Sequence, residues 1–396
     1  MVSFQLTEEQ INVQKMVRKF AENEIKPVAR ELDSKVNPYE CFSWEILKKG
    51  SRLGLRTVSI PEKWGGGGAD LLTQLIICEE LGAGDSAVAT TFGLNMKISR
   101  QFCTLCNDDQ IKEFISQVMN DDTFLFASAI TEPDSGSDNL IPYDEPGAAM
   151  RTFAYKEGNE YVINGRKQFI TNGGVAKLYL VYARTNKEKP LSQSMSCFIV
   201  PAETKGFSIG RIHDKMGKRL NLNSELIFED CRVPQRYLVG KEGGIYWQLR
   251  PEEGKASMFG MLNVAAGLLG EARTCYEETK NYAKLRIQGG KPIIEHNNVG
   301  MRIVDMHVNI EAARLILWKI AWSCDANYEF DPKLVYLAKA FVYDTCLKVV
   351  ESALEVYAGM GPMKELPIEK YIRDIHTGLH GHGTADMLRI KAMKRL

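Results

Sequence analysis

Three histidines fall within seven positions near the C-terminus, in "RDIHTGLHGHGT", residues 373–384, in a chain that has six. Imidazole titrates near neutrality and serves as acid or base. His376 and His380 are spaced i, i+4, which on one helix face presents two imidazoles to a metal. Gly378 and Gly381 weaken a helix there, and no Cys or carboxylate cluster accompanies the pair. No metal is expected. His382 stands between two glycines, directly before the Gly383–Thr384 pair.

Other residues could do chemistry. "TEPDSGSD", residues 131–138, combines short polar side chains with a glycine. Such a string exposes hydroxyls and backbone N–H groups to a polar ligand edge, or serves as a turn between strands. Cys103 and Cys106 form a CxxC without a second pair at zinc spacing. Its flanks look helical, so both read as thiols packed in a helix.

These residues need elements to hold them. Residues 5 to about 125 read as helical. "TEEQINVQKMVRKF" has apolar residues at helical spacing behind a capping-box-like start, and "WGGGG" marks a turn. Near residue 124 the texture changes to short segments rich in β-branched and aromatic residues, such as "EYVINGRKQFIT" and "KLYLVYART". Long helical patterns return from about 241. The chain reads as 1–124 helical, 125–238 β and 239–396 helical. A crevice between such layers is a common place for a cofactor.

The totals exclude several classes. Lys plus Arg and Asp plus Glu are both 50, which argues against nucleic acid or an anionic membrane as partner. No apolar run approaches the roughly 18 residues of a membrane helix. The N-terminus reads as an amphipathic helix, not a signal peptide. Nine cysteines, an odd number, suit a reducing compartment. The expectation is a soluble, cytoplasmic protein without disulfides.

Three segments, "ASAITEPDSGSD" (127–138), "VINGRKQFITNGG" (162–174) and "YAGMGPMKELPIEKYIRD" (357–374), resemble the acyl-CoA dehydrogenase family in order, spacing and surrounding texture. The resemblance implies an α+β fold with an N-terminal helical domain, a β-barrel-like middle domain and a C-terminal four-helix bundle. It implies FAD, an acyl thioester substrate, an electron-transferring flavoprotein as acceptor and a homotetramer or homodimer. On this resemblance Thr131 meets the pyrimidine side of the flavin, Phe169 packs on it and Thr171 lies near N5. Arg286 reaches the pyrophosphate of a neighbouring subunit's FAD, and Thr384 also touches the cofactor. Ser137 matches a contact to the pantetheine arm or the phosphates.

The departures are as informative. Gly289-Gly290 replaces the usual Phe-Gly, and Glu355 replaces a Gln that contacts the cofactor, so the grip on the adenosine half is expected to differ. The usual catalytic Glu of a Glu-Gly-Thr triplet is His382. The alternative base position falls on Gly260, with Met261 in place of an Arg. Met258 replaces an Asp that bonds the pantetheine amide. Three readings follow. His382 is the acid or base, with His380 lining the pocket or bonding nearby. Or the site does other chemistry, such as enoyl-thioester reduction, ring dehydrogenation, or oxidase or lyase work, with Asp85 as the remaining carboxylate. Or the imidazole only packs and the protein is a non-catalytic flavin-binding subunit. The run 139–150, "NLIPYDEPGAAM", looks inserted and either shapes the entrance or is a surface extension.

Overall fold

The computed structural model describes residues 5–139, 145, 147–249, 258–326, 331–381 and 383–394, except for the side chains of Met258 and Phe259. The N-terminal block contains α1 (Glu8–Phe20), a π-turn, α2 (Lys26–Asp33), α3 (Trp44–Arg52), α4 (Leu71–Gly84), α5 (Ser86–Leu105) and α6 (Asp108–Asn120). The predicted capping box is formed by Thr7 and Gln10, each side chain bonding the other's backbone N–H. The glycine run ends a short 3₁₀ turn, with Gly65 left-handed at φ 88°.

The middle block is one eight-stranded sheet. Its strands are β1 (Phe126–Ala129), β2 (Phe153–Glu157), β3 (Glu160–Thr171), β4 (Leu178–Arg184), β5 (Met195–Pro201), β6 (Phe207–Ile212), β7 (Asn223–Pro234) and β8 (Leu238–Val239), with a four-residue helix, α7 (Leu191–Ser194), before β5. The order is β6-β7-β3-β2-β4-β5-β8, and β1 pairs parallel with β4. All seven residues of β4 are buried, so this strand is covered on both faces, and it reads as an apolar run up to Arg184, whose guanidinium donates to backbone carbonyls. The expected boundary at 124 falls between α6 and β1. The one at 238 falls on β8.

The C-terminal block holds α8 (Met258–Leu285), α9 (Asn297–Asp325), α10 (Lys333–Tyr357), α11 (Ile368–Gly378) and α12 (Ala385–Met393). A small hairpin, β9 (Ile287–Gln288) and β10 (Lys291–Pro292), joins α8 to α9. Its central residues, Gly289 and Gly290, have φ of 60° and 82°. A two-residue hairpin with positive φ at both positions favours this Gly-Gly pair, which accounts locally for one departure from the family pattern.

Contact between α4 and α8 joins the two helical blocks. A Cβ at Gly82 would sit 2.0 Å from the Gly267 carbonyl oxygen, and one at Gly270 would sit 1.9 Å from the Glu79 oxygen. Backbone touches backbone, which only glycine permits. The helix α5 meets both α8 and β1. Asn95, on α5, accepts from the Phe126 N–H (2.9 Å) and donates to the Arg56 carbonyl (2.9 Å). All three blocks therefore meet around α5.

Candidate active site

A cavity of about 630 Å³ opens where the blocks meet. The β block contributes Thr131, Phe169 and Thr171, α5 contributes Leu94 and Lys97, α8 contributes Met261 and Val264, and the turn after α11 contributes His380, Gly381, Gly383 and Thr384. Ser137, in a 3₁₀ turn, lines it too. The sequence scatters these residues from Leu94 to Thr384, and the fold brings them to one space.

The β wall is held by a short network. The Gln168 N–H donates to the Thr131 carbonyl at 2.8 Å, tying the two expected flavin-contacting segments together. The Asn223 amide donates to the Phe169 carbonyl (3.0 Å) and the Thr171 hydroxyl (3.1 Å). Phe169 has φ 59° and is 56% exposed. A positive φ at an aromatic residue is strained, and such positions cluster at functional sites. Its ring packs 4.8 Å from the His213 imidazole. Behind this wall, Lys167 is fully buried and donates to Glu132 (2.8 Å) and the Ile130 carbonyl (3.1 Å). Glu132 also accepts from the N–H groups of Arg151 and Thr152. Thr131 is thus clamped between two residues that Lys167 holds.

On the opposite wall α11 stops at Gly378, and a Cβ there would meet Leu268 at 2.6 Å. His376 is in that helix and His380 beyond it, so the i, i+4 pair does not share one helix face. His380 is exposed toward the cavity. Thr384 caps α12, its hydroxyl accepting from the Met387 N–H. His382 lies outside the described residues, but its neighbours Gly381 and Gly383 both line the cavity. The ammonium of Lys339 donates to the carbonyls of those neighbours, at 2.7 and 3.2 Å. The run 139–150 is described only at Asn139, at 145 and over 147–150.

Asp85 does not stand where a base would. It caps α5 through the N–H groups of Ala87 and Val88, and its other oxygen accepts from the Lys370 ammonium at 2.6 Å. Lys370 also pairs with Asp374 at 2.5 Å. All three residues are buried and none of them lines the cavity, so the contacts of Asp85 are those of a structural anchor. Glu271 is buried beside it, and burial reinforced by Asp374 pushes its carboxyl well above the usual range. Arg286 and Glu355 are both exposed and do not line the cavity of their own chain. Met261 does line it. Met258 begins α8, and its side chain is outside the described residues. Cys103 and Cys106 are helical or nearly so, and burial pushes the Cys103 thiol up to about 11.

Several cavity residues are absent from the sequence-based expectations. Lys97, Lys215 and Lys218 line the wall, as do His213 and Lys391. Lys218 has φ 51° and donates to the Thr90 hydroxyl at 2.6 Å. Lys215 donates to the Asn221 carbonyl and the Asn223 side chain, and burial with the nearby Lys218 lowers it to about 7. The mixed polar and apolar stretch "GLNMKISRQF" gives no signal that singles out Lys97.

Three family models cover the chain: the acyl-CoA dehydrogenase N-terminal domain matches residues 7–122, the middle domain 127–231 and the C-terminal domain 256–396. The chain belongs to the acyl-CoA dehydrogenase family. It is 33% identical to a short-chain-specific acyl-CoA dehydrogenase of Clostridium acetobutylicum over 395 residues, 98% of each chain. It is 35% identical to a cyclohex-1-ene-1-carbonyl-CoA dehydrogenase of Syntrophus aciditrophicus, over 94% of this chain and 87% of that one. Among solved structures, butyryl-CoA dehydrogenase from Megasphaera elsdenii superposes with a TM-score of 0.90 at 29% identity, covering 100% of this chain and 99% of that one. As an acyl-CoA dehydrogenase-type enzyme, the protein is a CH–CH oxidoreductase with FAD as its cofactor.

The residues present fit that cofactor. Phe169 offers an uncovered aromatic face, which a planar ring covers with favourable stacking. His213 Nε2 is buried at the cavity with no hydrogen-bond partner among the described residues. Buried polar atoms of this kind are normally satisfied. Thr131 and Thr171 add hydroxyls on the same wall.

Proposed function

We propose that this enzyme oxidises an acyl-CoA at its α,β-carbons with His382 as the proton-transfer group, and passes the electrons to an electron-transferring flavoprotein. The observation that carries the reading is the convergence of Thr131, Phe169 and Thr171 with Gly381, Gly383 and Thr384 on one cavity. The histidine flanked by those glycines occupies the position of the family's Glu in Glu-Gly-Thr.

FAD, when bound, supplies the acceptor for the hydride that leaves the β-carbon. Everything else falls to the chain. Thr131 and Thr171 offer hydroxyls to the flavin edge, and Phe169 packs against the ring. The Lys339 ammonium holds the carbonyls of Gly381 and Gly383, the residues on either side of the proton acceptor in sequence. His382 takes the α-proton of the thioester. An imidazole suffices because an α-proton next to a hydrogen-bonded thioester carbonyl is already acidic. The apolar wall of Leu94, Met261 and Val264 excludes water from the acyl chain.

Arg286 leaves the end of α8 exposed and off its own cavity, which suits our assignment of it to a second subunit's FAD pyrophosphate in a homodimer or homotetramer. Ser137 is assigned to the pantetheine arm. The nine thiols, all free, accord with a cytoplasmic protein. The test is anaerobic addition of acyl-CoA thioesters to the yellow holoenzyme. Bleaching of the flavin supports the reading. Reoxidation of dithionite-reduced flavin by an enoyl thioester, with no bleaching by the saturated one, would replace it with a reductase.

A further inference from the structure

Buried cations in this protein have partners: Lys339, Arg184 and Arg56 donate to carbonyl oxygens, Lys218 to a hydroxyl, and others to carboxylates. Lys370 sits between Asp85 and Asp374, Lys167 meets Glu132, and Arg273 and Arg314 pair with Glu79 and Glu80. Lys97, half-buried, breaks the pattern. It projects from α5 into the cavity wall, and no hydrogen-bond or ion-pair partner meets its ammonium among the described residues. Its stem lies across Gly260 of α8. A Cβ at 260 would come within 2.1 Å of Lys97 Cδ and 2.8 Å of Cγ and Cε. The missing side chain at 260 is what lets the lysine through, so the two residues form one feature.

The surroundings make the charge more conspicuous. Lys391, from α12, lines the same cavity, 5.3 Å from the Tyr336 ring. Lys339 is buried nearby, donating to the carbonyls of Gly381 and Gly383. Burial, reinforced by Lys97 and Lys391, holds its ammonium well below the ordinary lysine value. Burial alone lowers Lys97 only to about 8, which leaves it largely protonated at neutral pH. No carboxylate pairs with it among the described residues. Yet the nearby lining, Leu94, Met261 and Val264, is apolar. A plain hydrocarbon chain seated here would cover a charged amine and give it no partner, which is costly. A chain bearing an anion would satisfy it.

We propose that the acyl group this enzyme accepts carries a carboxylate, and that Lys97, aided by Lys391, binds it. The proposal rests on the acyl-thioester reading above and names the substrate class: CoA thioesters of dicarboxylic acids, straight or cyclic. A proton-transfer role for Lys97 is less consistent with the site, because the ammonium is largely protonated at neutral pH and must first lose that proton to act as a base.

The test uses the FAD-loaded protein and pairs of CoA thioesters that differ in one carboxylate, hexanoyl against adipoyl and cyclohexanecarbonyl against its ring-carboxylated counterpart. Two readouts are taken, binding from the shift of the flavin absorbance and anaerobic flavin reduction. The expected result is a preference of about 10²-fold or more for the carboxylated member of a pair, as for sites that reject a ligand lacking the matching polar group. Lys97→Met should collapse that ratio while FAD stays bound, and Lys97→Gln serves if the first variant folds poorly. Equal reduction by neutral and carboxylated thioesters overturns the proposal. So does a Lys97→Met variant that keeps the ratio but loses rate on both, which would make Lys97 a proton-transfer group. Carboxylate-selective binding without flavin reduction would support this inference and defeat the dehydrogenase reading. Binding of neither class would defeat both.

Discussion

Lys370 and Asp85 form a buried ion pair at 2.6 Å that joins α11 to the start of α5, across 285 residues of sequence. Asp85 is also the N-cap of α5, so one carboxylate fixes both the helix and its attachment. Asp85→Ala should cost about 1–3 kcal/mol, because the buried Lys370 ammonium loses one acceptor while keeping Asp374 as its counter-ion, with about 1 kcal/mol more from the lost cap. Urea unfolding measures this. A variant of wild-type stability with slow flavin reduction would make Asp85 a chemical group after all.

Lys167 ties the Thr131 segment to β3 through Glu132. Lys167→Met leaves that carboxylate buried with only backbone partners, and should cost about 3 kcal/mol or more and weaken FAD binding. A pH signature goes with it. Burial holds the Lys167 ammonium at about 8 against an ordinary 10.5. Between those values the unfolded chain binds a proton that the folded one does not, so this contribution to stability rises with pH. The stability gap between wild type and Lys167→Met should widen from pH 7.5 to 9.5. Urea midpoints at the two pH values decide it, and a narrowing gap would contradict the assignment.

Phe169 exposes its ring to the cavity. Phe169→Ala should therefore leave the unfolding midpoint of the apoprotein within about 0.5 kcal/mol. It should weaken FAD by roughly 3- to 10-fold through lost stacking. Fluorescence titration of apoprotein with FAD checks this, and Phe169→Trp should restore affinity. Unchanged FAD affinity in Phe169→Ala would remove the ring from the cofactor site.

Arg286 is exposed and remote from its own cavity. Arg286→Ala should lose about 1.5–3 kcal/mol of FAD affinity, the value of a charge-assisted phosphate contact, with little change in activity per bound flavin. FAD content after gel filtration measures it. Full retention would sink the cross-subunit assignment.

Much of this was legible in the sequence, and for identifiable reasons. Helical spacing around "TEEQINVQKMV" and the β-branched texture of "KLYLVYART" report backbone geometry directly, so the block order follows. Thr131, Phe169 and Thr171 were found by motif, and the fold brings them together through the Gln168–Thr131 hydrogen bond. The partnerships of charged residues were not legible. Nothing near Asp85 points to Lys370, because the pairing depends on how α11 lies under α5. Lys97 was passed over because a single lysine on a helix usually faces solvent. Only the bare backbone of Gly260, on another helix, turns it inward.

The central claim is that the imidazole of His382 replaces the family's catalytic carboxylate. Rapid mixing of the anaerobic His382→Ala holoenzyme with its best thioester tests it most directly. Flavin reduction should slow by roughly 10² to 10⁴, the span of one proton-transfer group, with FAD content and unfolding midpoint unchanged, and His382→Glu should recover part of the rate. Flavin reduction by His382→Ala at the wild-type rate would contradict the account.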